Sequence, residues 1–134
     1  MILTVIAVCF SAMPTTAIDQ TLTGRIEGLN CLIDPDLCAR DNKDPHIDLE
    51  SDFVLLLGNA DHYLLPNVPR EVKIQFLGQQ IKVTGNVSEA YRSITVETLK
   101  VRADGQYIDV WSNDMDLRYW QEWRQQFYEK GSDN

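Results

Sequence analysis

The sequence predicts a mainly β domain with an amphipathic helix at its C-terminus. Three observations carry that expectation. Between Gln20 and Ser112 the apolar residues recur mainly at every second position, the period of a half-buried strand. Glycine, asparagine and aspartate interrupt those runs where hairpin turns belong. The final segment, MDLRYWQEWRQQFYEK, changes to helical spacing through Leu117, Trp120, Trp123 or Arg124, and Phe127.

The first strand is QTLTGRIEGL, with Leu22, Gly24, Ile26 and Gly28 on one face. Glycines on that face mark strong bending or a close backbone approach. From Asn30 to Asp48 the periodicity stops, and two cysteines, two prolines and the run DNKDP read as a loop. FVLLL and HYLLP flank Gly58-Asn59-Ala60-Asp61 and form a hairpin. The unbroken apolar first arm implies burial on both faces, with the C-terminal helix as the expected second cover. Pro69 opens a short helix over PREVKIQFLG, with Val72, Phe76 and Leu77 on its apolar side and Gly78 at its end. QQIKVTGNV alternates through Ile81, Val83, Gly85 and Val87. SITVETLKV alternates first through Ile94 and Val96, then through Leu99 and Val101, the change of phase that a β-bulge produces. Asp104-Gly105 is a turn, QYIDVWS is another strand, and Asn113 or Asp114 is placed to cap the terminal helix. Leu117, Trp120 and Phe127 share one helical face and are expected to be buried against the sheet, with Trp123 near that face.

The order strand, hairpin, short helix, hairpin is that of a five-stranded OB-type Greek-key barrel, in which a short helix lies between strands 3 and 4. FLGQQIKVTGNV followed by SITVETLKV resembles one half of small secreted bacterial OB-fold proteins. TGRIEGLNC and FVLLLGNADHYLLP resemble the other half, so the likeness runs from Thr21 to Val101. The resemblance implies an OB fold and a secreted protein. Its motifs are glycines and alternating apolar residues, which support a fold and not an activity. Some members of that family carry several cysteines in the first loop, whereas this chain has Cys31 and Cys38 there.

Residues 1–17, MILTVIAVCFSAMPTTA, read as a signal peptide: an apolar run from Ile2 to Met13, a break at Pro14, and a small-x-small ending at Ala17. No lysine or arginine precedes the apolar run; a misplaced start codon would account for that, and an N-terminal core strand is the alternative reading. Residues 18–112 then form the β domain, and residues 113–134 the helix and a short tail. Export to the periplasm, or other secretion, favours a Cys31–Cys38 disulfide. No stable membrane anchor is expected after cleavage of the leader.

The net charge is −8, and every charged residue lies after position 18. An acidic chain is a poor non-specific ligand for nucleic acid or anionic lipid, because both are held by lysine and arginine. Tyr91-Arg92, Lys100, Arg102 and Tyr107 make only a thin basic and aromatic patch. No GxSxG, HExxH, Walker or GxGxxG pattern is present, so neither a catalytic residue nor a cofactor is expected. The leading function is a non-enzymatic exported binding module whose partner is another exported protein. Tyr119, Trp123, Arg124 and Tyr128 are its expected contact residues, since aromatics and arginine anchor interfaces. The alternative is a metal-handling or accessory protein of an exported redox system, with Cys31, Cys38, His46 and His62 as ligands. The seven acidic residues between Asp34 and Asp52 lack the glycine and spacing of an EF-hand, and read as a solvated loop.

Overall fold

The computed structural model describes residues 19–129, with side chains through residue 127. The leader and its cleavage site lie outside the described residues, as does the side chain of Tyr128. The elements in chain order are β1 (Asp19–Gly28), β2 (Phe53–Leu57), β3 (His62–Leu64), α1 (Arg70–Gln75), β4 (Gln80–Ser88), β5 (Ser93–Ala103), β6 (Gln106–Ser112) and α2 (Asn113–Arg124). A single π-helical turn, Gln125–Glu129, extends α2. Short 3-10 helices at Asn30–Leu32, Pro35–Leu37 and Pro45–Leu49 occupy the first loop.

The strands form one six-stranded sheet in the order β3-β2-β1-β4-β5-β6. Neighbours in that order are antiparallel. The sheet curls into a ring because β3 also meets β5 in parallel, through Leu64 and Ser93. β1 makes the curl possible: its first seven residues pair with β4, its last five with β2, and Gly24 and Arg25 pair with both. At Gly24 the backbone of β2 comes so close that a β-carbon would overlap the Leu56 carbonyl. Of the two readings of the glycine spacing, the close backbone approach is the one found at Gly24, where no side chain fits.

The alternating residues Ile26, Leu55, Ile81, Val83, Ile94, Val96 and Leu99 fill the interior and are fully buried. The change of phase in β5 is a bulge: Thr84 pairs with Thr98 and Gly85 with Val96, leaving Glu97 unpaired. One extra residue keeps both Val96 and Leu99 inward. A second bulge at Val110 does the same for Trp111 in β6. Asp104 and Gly105 close the β5–β6 hairpin at φ values of 50° and 77°, the geometry of a type I′ turn.

Two expectations are corrected. The sheet carries six strands and not five: the meeting of β3 with β5 closes a ring of β1 to β5, and β6 is added outside that closure, on the C-terminal half of β5. The terminal helix does not cover the sheet: Leu117, Trp120 and Phe127 are 53%, 51% and 58% exposed, and no α2 residue is buried. The physical reason is local. Ser112 ends β6 and itself caps α2, accepting a hydrogen bond from the Met115 amide, so no linker exists to fold the helix back. Asn113 and Asp114 are already inside the helix rather than at its cap. The second cover of β2 comes instead from α1 and the loop before it, where the Arg70 guanidinium sits 4.8 Å above the Phe53 ring.

Candidate functional site

The first loop is pinned from inside. Glu50 is buried, and its carboxylate accepts hydrogen bonds from the amides of Asn30 (2.7 Å) and Cys31 (3.3 Å). The Asn30 side chain returns a bond to the Leu49 carbonyl. Arg70 of α1 donates to the carbonyls of Ile47 and Glu50, while the buried Lys73 ammonium pairs with Asp52 at 2.5 Å. Cys31 and Cys38 are joined in a disulfide across this segment.

Asp44 organises the outer half of the loop. Its carboxylate accepts from the amides of Arg40 and His46 and lies 2.8 Å from His46 Nδ1. The His46 amide bond, then the Arg40 amide bond, hold the Asp44 pKa down at about 2, because each favours the charged form. Asp36, Cys38, Arg40, Lys43, Asp44 and His46 line a hollow of about 600 Å³ beside it. His62 lies on β3, opposite Leu56. Cys31 and Cys38 are brought together as a disulfide, but Cys31, Cys38, His46 and His62 do not converge as a set. Among the described residues no group of three or more histidine, cysteine or acidic side chains is arranged to hold a metal ion.

The C-terminal helix concentrates exposed apolar surface. Of the nine large hydrophobic side chains exposed among the described residues, Met115, Leu117, Tyr119, Trp120 and Phe127 lie on it. Its rings form a continuous chain: Tyr119 to Trp120 at 5.6 Å, Trp120 to Trp123 at 5.9 Å, and Trp123 to Phe127 at 4.9 Å between centroids. Tyr119, Trp123 and Phe127 stand four residues apart and frame a shallow hollow of about 360 Å³. Tyr119 and Arg124 are exposed, as the spacing predicts, and Trp123 is half-buried. Sequence reasoning missed Leu117, Trp120 and Phe127 as surface residues. Helical periodicity identifies an apolar face but does not say whether its cover belongs to the same chain.

The outer face of β1, β4, β5 and β6 is polar and laddered. Thr23, Lys82, Lys100 and Asp109 face one another across the four strands, and Thr21, Thr84, Thr98 and Ser112 form the next row. Arg25 pairs with Gln80, Gln80 accepts from Arg102 at 3.3 Å, and Arg102 pairs with Tyr107. Tyr91-Arg92 does not join this face; Arg92 lies over the Tyr63 ring and pairs with Glu89 and Asp61.

The chain matches no protein-family model, no curated protein and no solved structure.

Proposed function

We propose that the protein is a non-enzymatic exported binding module: an OB-type barrel that offers α2 to another exported protein. The single observation that carries this reading is the helix itself. α2 holds four exposed large apolar side chains and its π-helical extension a fifth, Phe127, yet no residue of α2 is buried. Contiguous apolar surface of this kind, rimmed by charge, is typical of protein contacts. An amphipathic helix is bound by laying its apolar stripe into a partner's groove, with aromatic anchors contributing most of the affinity.

The OB-type reading is supported by the strand order, by the parallel meeting of β3 with β5, and by α1 lying between β3 and β4. Export is supported by the apolar run of residues 2–13 and by the bridged cysteines. Truncation after Ser112 tests the role of the helix. The shortened protein is expected to unfold at nearly the same temperature as the full chain while losing its envelope partner in co-purification. A truncated protein that still holds the partner overturns the reading.

A further inference from the structure

The apolar stripe of α2 carries one acid and one base, and the helix answers neither. At the α-helical repeat, Asp116 and Arg124 lie about 40° to either side of Trp120, within the arc that holds Leu117 and Phe127. Asp116 is half-buried and Arg124 is exposed. The other acid and base of the first two turns, Asp114 and Arg118, pair with each other at 3.1 Å. The positions three and four residues from Asp116, and those from Arg124, hold no opposite charge, so neither has a neighbour to pair with along the helix. Among the described residues neither forms an ion pair elsewhere. A cover laid over this stripe must supply a base to Asp116 and an acid to Arg124, or bury both charges unpaired, which is costly.

A second copy of the same helix supplies both. Asp116 and Arg124 stand four residues before and four after Trp120. Antiparallel pairing about a two-fold axis at Trp120 therefore sets Asp116 level with the second copy's Arg124, and the symmetry repeats that contact. Trp120 meets its own copy, and Asn113 comes level with the second copy's Phe127. A hollow of about 370 Å³ beside the first turn of α2, lined by Glu97, Thr98, Asn113 and Leu117, lies where that ring arrives. Parallel pairing would instead set acid against acid and base against base. We propose that, in the absence of its partner, the protein forms a dimer in which each α2 covers the other in this antiparallel register. The inference rests on the reading of α2 as a contact surface and gives that surface a regulation: the partner must displace the second copy. The stripe from Asn113 to Phe127 is about 21 Å long. So short a contact belongs with the weak, exchangeable interfaces.

The test is sedimentation equilibrium of the purified mature protein over a micromolar concentration series, where the wild-type chain is expected to pass from monomer to dimer. Asp116→Arg sets arginine against arginine across the pair, and Arg124→Asp sets aspartate against aspartate. Each variant alone should dimerise at least about tenfold more weakly than the wild type. A one-to-one mixture of the two variants regains both opposite-charge contacts and should regain the dimer, a result that only folded chains can give. A monomeric wild-type chain, single variants that dimerise as the wild type does, or a mixture that stays monomeric would each overturn the pairing. The partner reading fails on a different result, retention of the envelope partner after truncation at Ser112, so the two failures are told apart.

Discussion

The carboxylate of Glu50 occupies the space that a side chain at Gly28 would need. A β-carbon built on Gly28 falls 2.8 Å from Glu50 Cγ and closer still to the carboxylate. The absence of a side chain in β1 thus lets an acid from 22 positions later reach the amides of Asn30 and Cys31. Gly28→Ala is expected to cost about 1–3 kcal/mol, the usual range for overpacking a tight site. Glu50→Ala leaves two amides without their partner and should cost about 1–3 kcal/mol. The double variant should cost clearly less than the sum, because the two residues compete for one space. Urea unfolding of the four proteins measures the coupling, and strict additivity would contradict this account.

The Cys31–Cys38 bridge closes a loop of eight residues, counting both cysteines. Chain-entropy arguments put its contribution at about 2.5 kcal/mol. Replacing both cysteines with serine should lower stability by roughly that amount while leaving the far-ultraviolet circular dichroism unchanged, since the bridge touches no strand pairing. Loss of the β signal at room temperature would show that the loop organises the sheet.

Asp44 sets the acid limit of the loop. Its folded-state pKa of about 2 lies below its ordinary value of 3.8, so folding favours the ionised form. The stabilisation is therefore fully present above the ordinary value and is lost as pH falls through about 2. Carboxyl-carbon NMR should show Asp44 still charged at pH 3, with the Arg40 and His46 amide shifts unmoved until lower pH. Titration of Asp44 near its ordinary value would mean that the amide bonds are not held in solution.

Two tryptophans nine positions apart should respond in opposite ways. Trp111 is 6% exposed within the core, whereas Trp120 is 51% exposed on α2. Trp111→Ala should cost about 3–5 kcal/mol and Trp120→Ala less than about 1 kcal/mol, because only the first leaves a cavity. Thermal unfolding distinguishes them, and similar losses would place Trp120 in a core.

Much of the fold was legible in the residues. Strand alternation located the inward faces, the phase change between Val96 and Leu99 located the bulge at Glu97, and Asp104-Gly105 located a hairpin turn. The destination of α2 was not legible. Whether Leu117 and Trp120 pack on their own sheet depends on the length of chain between β6 and the helix, and Ser112 serves both elements. The charged outer face was half legible. Lys100, Arg102 and Tyr107 alternate within two strands, but the contribution of Lys82 depends on the β4–β5 register, which exists only after folding. Glu50 was hidden for a similar reason, since an acidic residue in an acidic loop gives no sign that it points inward.

The central claim is that α2 is the docking surface, and site-specific photo-crosslinking in living cells tests it most directly. A benzophenone amino acid placed at Trp120 is compared with one at Tyr91, which is 79% exposed and lies in the turn between β4 and β5. The account predicts one discrete envelope protein joined at position 120 and no such adduct at position 91. Absence of an adduct at 120, or the same set of adducts at both positions, would contradict it.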